Sequence, residues 1–234
     1  MSTLSKRKII FEYLPMAITA LTILISAIIL KQMVIKVFPV LFSIVIALLS
    51  SKANRLYFLL GAANSVIYII GYIMEGLYGT MLSTLFGIVM MLIAFFQWKK
   101  NSYGKATIIR KFTTKQRILL VCGLIIAWGI ATLVLGKIGG SVSVIDGLVL
   151  ILGFVVPVLN IWAYIESPAL NCICLLMQIP MWVIIIFSDS KLENITYLIS
   201  TIYTFYMMVR TFIKWYVLYK EQHAKIKSKE NAQI

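Results

Sequence analysis

Apolar residues arrive in eight long runs separated by short polar breaks. The runs are Tyr13 to Leu30, Val37 to Ser51, Tyr57 to Met74, Tyr78 to Trp98, Ile118 to Gly136, Val144 to Tyr164, Pro168 to Phe187 and Thr196 to Ile213. A membrane-crossing helix needs about 20 mostly apolar residues, and seven of the eight approach or reach that length. The second run is the exception. With 15 residues at about 1.5 Å each, it falls short of a hydrocarbon core about 30 Å thick. Snorkelling of Lys36 and Lys52 would extend it. The alternative is that the first two runs share one span and one surface helix.

Composition sharpens this pattern into an integral membrane protein. Apolar residues make up 61% of 234 residues while charged ones make up 13%, and the mean hydropathy is +0.96. A soluble domain of this size is roughly half apolar and about a quarter charged. The three cysteines, Cys122, Cys172 and Cys174, all lie inside apolar runs. They read as small buried hydrophobes rather than a disulfide framework. Lys31-Gln32-Met33 follows the first run, and this is not a small-residue cleavage site of a signal peptide.

The formal net charge of +14 raises nucleic acid as a partner, but the placement of the charges argues against it. Lys and Arg flank the apolar runs, where they orient membrane helices. The connection after the fourth run carries Lys99, Lys100, Lys105, Arg110, Lys111, Lys115 and Arg117, and the stretch after the eighth carries Lys214, Lys220, Lys225, Lys227 and Lys229. Four spans separate these clusters, and four separate the first from Lys6, Arg7 and Lys8. An eight-span chain in the cell membrane with both termini in the cytoplasm satisfies all three. Lys31, Lys36, Lys137 and Lys191 fall on the outer side and are exceptions.

A weak internal repeat runs through the spans. Runs two to four end in Phe96-Gln97-Trp98-Lys99, and runs six to eight in Phe212-Ile213-Lys214-Trp215. Each middle run carries an asparagine near its start, Asn64 or Asn171. A single helix between two three-helix units makes those units parallel. The expected fold is therefore all-α: a 3+1+3 transmembrane helix bundle with parallel repeats and one extra N-terminal helix. It divides the chain into an N-terminal segment with the extra helix (1–36), a first three-helix repeat (37–98), a basic cytoplasmic loop (99–117), a linker helix (118–143), a second three-helix repeat (144–215) and a basic cytoplasmic tail (216–234).

Several stretches resemble one family. Ser51-Lys52-Ala53-Asn54, Tyr57 through Asn64, Gly76-Leu77-Tyr78-Gly79 and Trp98-Lys99-Lys100-Asn101 are similar to the nicotinamide riboside transporters of the PnuC family. So are Ile145-Asp146-Gly147-Leu148 and Tyr164-Ile165-Glu166. The resemblance is diffuse and covers about residues 37 to 215. It implies a seven-helix 3+1+3 bundle related to the sugar-transporting SWEET proteins. It also implies facilitated diffusion of a vitamin precursor that is phosphorylated after entry. One departure bears on the substrate. The family carries Trp-x-x-Trp-x-x-x-Asn after the Glu, and those positions here are Pro168, Asn171 and Leu175. Trp182 matches an aromatic further along the helix. Relatives of the family carry thiamine, riboflavin or deoxynucleosides, and this chain is expected to prefer such a substrate.

Polar groups inside the spans must face protein or a wet cavity. Asn64, Asn171 and Gln178 are candidate substrate contacts, because an amide both donates and accepts. Bonds between helices are the competing reading, and it weighs more heavily for Gln178, Gln97 and Asn160. Asp146, the one carboxylate within a span, could bind a cation or a ribose hydroxyl, or could simply be wet. Trp182 and Tyr203 could stack on a ring.

No cofactor, phosphate-binding Gly-x-x-x-x-Gly-Lys motif, metal cluster or paired intramembrane acids are found, so an enzyme is not expected. The expected partners are a small-molecule substrate and the lipid bilayer, without nucleic acid, and a homo-oligomer is compatible with the pattern. The alternative to a uniporter is a membrane-embedded substrate-capture or partner subunit that does not transport alone.

Overall fold

The computed structural model describes residues 3–32, 34–51, 54–100, 102–103, 106–138, 142–188 and 192–231. Each apolar run forms an α-helix: α1 (Thr3–Ile29), α2 (Val34–Ser51), α3 (Leu56–Met74), α4 (Tyr78–Lys100), α5 (Thr114–Ile138), α6 (Ser143–Ile161), α7 (Glu166–Ser188) and α8 (Ile195–Asn231). Two-residue strands β1 (Ser102–Tyr103) and β2 (Ala106–Thr107) pair in the α4–α5 connection. By length and composition α3 to α7 can each cross a membrane, and Tyr13–Ile29 and Lys36–Ser51 are shorter apolar stretches. In an apolar medium a helix satisfies its own backbone groups, so such runs have little alternative.

Three helix ends use a residue at positive φ, followed by an amide that reaches back five residues. Gly76 (φ 67°) ends α3, with Leu77 N–H donating to Tyr72 O at 2.9 Å. Lys31 (φ 49°) and Ala163 (φ 53°) end α1 and α6 in the same way, through Gln32 to Ala27 O at 3.0 Å and Tyr164 to Leu159 O at 3.1 Å. Turns this tight keep the α3–α4 and α6–α7 breaks to a few residues.

One expectation about the ends is corrected. Lys36 does not snorkel: it is buried and its Nζ lies 3.3 Å from Glu75 Oε1 at the start of the α3–α4 break. Pairing, rather than reach to water, accommodates this cation at the end away from the 99–117 connection. Lys52 lies outside the described residues, as do Lys105 and Lys191. The stretch after Ile213 continues as helix to Asn231. From Lys220 onward it is rich in Lys, Glu, Gln and Ala, all good helix formers.

Contacts between helices define the arrangement. α3 packs on α2 and α4, and α7 packs on α6 and α8. The two groups meet where α4 lies on α6 and where α8 lies on α2, while α5 leans on α6 and α1 on α8 and α2. The α4–α6 contact is close enough to require glycine. A Cβ on Gly153 would sit 2.5 Å from Ser83 Cβ, and one on Gly79 would sit 2.8 Å from Asp146 Oδ2.

The connection after α4 is strapped across one end of the bundle, called here the loop end. Arg110 N–H donates to Ala163 O at 3.0 Å and Ile165 N–H to Arg110 O at 2.9 Å. Glu166 Oε1 receives Arg117 Nη2 at 2.6 Å and Phe112 N–H at 3.2 Å. The Gln222 amide, buried on the extension of α8, accepts from Ile109 N–H at 2.9 Å and donates to Thr107 O at 3.0 Å. Ile109 is thereby held, fully buried, among Phe58, Trp98, Ile165 and Trp215.

Candidate functional site

The bundle reverses the polarity of a soluble protein. Its exposed positions include Ile118, Leu119, Ile126 and Leu133 of α5, whereas Asn64, Thr80, Ser83, Asp146, Ser167 and Thr211 are buried. Apolar outside and polar within is the pattern of a protein solvated by lipid.

Some of the buried polar groups, among them Asn64, Thr80, Ser83 and Thr211, line two cavities. The first, of about 250 Å³, lies between α4, α6 and α7 and is lined by Tyr72, Thr80, Ser83, Thr84, Asn160 and Gln178 among others. The second, of about 210 Å³, lies between α2, α3 and α8 and is lined by Ser43, Asn64, Tyr68, Thr204 and Thr211 among others. Ser65, Met91 and Asn171 line both. Asn171 also lines a separate narrow void of about 10 Å³ beside Tyr57, Asn160 and Trp215. Among the described residues no charged side chain lines either cavity. Each is somewhat smaller than the range of about 300–1,000 Å³ usual for ligand pockets; the two, which share Ser65, Met91 and Asn171 as walls, are together called here the chamber.

The six residues singled out from the sequence divide into two groups. Asn64, Asn171 and Gln178 reach the chamber. Asn64 Nδ2 donates to Pro39 O at 2.9 Å, and its buried Oδ1 has no partner. That bond between helices and the bare oxygen unite the two readings of this residue. Gln178 Nε2 lies 3.7 Å from Cys174 Sγ, a weak contact. Asn171 makes no hydrogen bond with the described residues, so its amide is uncommitted.

The other three lie elsewhere. Asp146 is neither wet nor open to a ligand: its Oδ2 accepts Gly79 N–H at 2.9 Å, and its Oδ1 accepts Thr80 N–H at 3.0 Å and Thr80 Oγ1 at 2.6 Å. It caps the N-terminus of α4 from α6, where an anion meets free N–H groups and the positive end of the helix dipole. Trp182 lines neither cavity. It is buried and stacked on Tyr197, with centroids 4.8 Å apart and planes 14° apart. Tyr72, whose ring lies 6.5 Å from Trp182, does line the chamber. Tyr203 faces an apolar groove of about 630 Å³ between α1 and α8, outside the chamber.

Sequence reasoning missed Tyr72, Ser65 and the hydroxyl row Thr80, Ser83 and Thr84. The row was legible, because positions i, i+3 and i+4 of a helix share one face and Gly79 and Gly87 extend that stripe. Asn160 Oδ1 accepts from Ser167 Oγ at 2.7 Å, and its carbonyl accepts from Trp98 Nε1 at 2.7 Å. It therefore joins helices while also lining the chamber.

An all-helical bundle with an apolar exterior and buried polar groups defines the class of multi-pass membrane proteins. A family profile described as Nicotinamide mononucleotide transporter matches residues 33–217, and the chain belongs to that family, the PnuC transporters. It is a membrane transporter rather than an enzyme. The fold is similar to that in the crystal structure of the vitamin B3 transporter PnuC, with a TM-score of 0.78 and 18% identity over 90% of this chain and 92% of that one. No curated protein sequence matches the chain.

Proposed function

We propose that this transporter is a uniporter for an uncharged nucleoside or nucleoside-like vitamin other than nicotinamide riboside. The observation that carries this reading is Asn171, whose uncommitted amide is part of the wall of both uncharged cavities. An amide reads a neutral heterocycle by donating and accepting at once. Asn171 occupies the second tryptophan position of the family pattern, so the flat ring that would cover a nicotinamide is replaced by a small polar edge. Tyr72, backed by Trp182 and Tyr197, supplies an aromatic face from α3 instead. No carboxylate or histidine of the described residues lines the chamber to relay a proton, which favours movement without proton coupling.

Two parallel three-helix repeats joined by a linker helix, as in the SWEET proteins, are the architecture we favour, preceded by α1. The α4–α6 and α8–α2 contacts are equivalent junctions under exchange of the repeats, and α5 touches only α6 closely. Transport would proceed by rocking one repeat against the other around the central chamber. The basic loop end and both termini face the cytoplasm on the excess of Lys and Arg there.

Purified protein tested by thermal shift with nicotinamide riboside, thiamine, riboflavin and deoxynucleosides should be stabilised most by an uncharged member of the set. Vesicles without ion gradients should equilibrate that compound. Uptake that requires a proton or sodium gradient would reject uniport, and tight binding of nicotinamide riboside that is indifferent to Asn171→Ala would return the family's usual substrate to first place.

A further inference from the structure

The α4 wall of the chamber is chemically one-sided. Thr80 Oγ1 donates to the Asp146 carboxylate at 2.6 Å, Ser83 Oγ donates to Thr80 O at 2.9 Å, and Thr84 Oγ1 donates to Thr80 O at 2.7 Å. All three side chains line the first cavity. A hydroxyl has one proton and two lone pairs, so each of these has its proton committed and only acceptor capacity left for a ligand. For Ser83 and Thr84 the commitment is the ordinary back-bond to the preceding helical turn. For Thr80 it is imposed from outside the helix. Asp146 comes from α6, already accepts two backbone N–H groups of α4, and as a carboxylate can only accept. It fixes the direction of the Thr80 hydroxyl.

We infer that this hydroxyl row is a specificity wall that reads hydrogen-bond donors on the substrate, and that Asp146 is its positioning residue. The wall takes the hydroxyl-bearing sugar of a nucleoside, while Asn171, across the chamber on α7, takes the base. A buried carboxylate with no contact to the ligand is thus retained for the polarity it imposes on a neighbour. The inference rests on the nucleoside reading given above and adds the orientation of the substrate within the chamber.

The test compares probes that differ in one donor. Uridine and nicotinamide riboside are each paired with the compounds in which the 2′- or the 3′-hydroxyl is replaced by fluorine, which is close in size and cannot donate. Dissociation constants are measured on the purified full chain. At least one hydroxylated parent should bind about two- to tenfold more tightly than its fluorinated partner, the worth of one neutral hydrogen bond. Thr80→Val, which removes the hydroxyl at nearly constant volume, should bring that ratio close to one.

Asp146→Leu should do the same by a different route, because with no acceptor on α6 the threonine proton is free to turn into the chamber. Asp146→Asn, whose Oδ1 can still accept both the N–H and the hydroxyl of Thr80, should keep the preference. A loss with Leu that Asn rescues is not what a merely structural role produces. Melting temperatures establish that each variant is folded, and if the position-146 variants do not fold, Thr80→Val decides alone. Equal affinities within every pair in the unmodified protein, or a preference that survives in folded Thr80→Val or Asp146→Leu, overturn the inference. Failure of both parents to bind overturns the nucleoside reading and this inference with it.

Discussion

Gln222 tests how the loop end is closed. It lies beyond the apolar part of α8, in a stretch with the composition of a solvated tail, and yet it is 2% exposed. Its amide acts as a length of strand, accepting from Ile109 N–H and donating to Thr107 O. Gln222→Ala leaves the Ile109 amide buried without an acceptor. An orphaned buried group costs about 1–3 kcal/mol, which corresponds to an opening equilibrium raised roughly fivefold to 150-fold. Because the strap is held by a few bonds over the bundle, the effect should be local. Hydrogen exchange followed by mass spectrometry should therefore accelerate by about that factor in residues 107–112 and leave α4 and α6 unchanged. Gln222→Glu keeps the acceptor for Ile109 and should lie between. Unchanged exchange in the strap, or acceleration spread evenly over the helices, would refute the assignment of Gln222 as the latch.

Four further outcomes follow from the geometry. Asn171→Ala should reduce equilibrative uptake more than Asn160→Ala does, with both proteins folded, because the Asn160 side chain is engaged by Ser167 while the Asn171 amide is uncommitted; equal losses in vesicle flux would contradict this. Gly153→Ala should destabilise by about 1–3 kcal/mol through overpacking against Ser83, seen as a lower melting temperature in detergent. Trp182→Ala should cost about 3–5 kcal/mol as a core truncation, whereas Tyr72→Phe should leave the melting temperature near that of the parent. Ala163→Gly should stabilise by about 0.5–1 kcal/mol, since an L-residue at φ 53° is held in a region that suits glycine.

How much of this was legible beforehand depends on the range of the physics involved. Whether a run of 18 to 21 apolar residues forms a helix, and whether that helix sits in lipid, is decided within the run itself, since each backbone group finds its partner four residues away. The eight runs therefore appear as eight helices with ends shifted by only a few residues, apart from the start of α1 at Thr3 and the end of α8 at Asn231. The amides Asn64, Asn171 and Gln178 were found by the same local argument, because a polar group in an apolar helix must have an interior use.

The fates of Asp146, Trp182 and Tyr203 were not decided locally. Asp146 looks like a ligand until the N-terminus of α4, 66 residues away, is brought against it with its unsatisfied N–H groups. Trp182 looks like a platform until Tyr197 stacks on it and packing buries it outside the chamber. Tyr203 turns toward α1 because α8 is shared among three neighbours, α7, α2 and α1. In each case composition sets what a side chain can do, and the packing of helices distant in sequence sets which partner it meets.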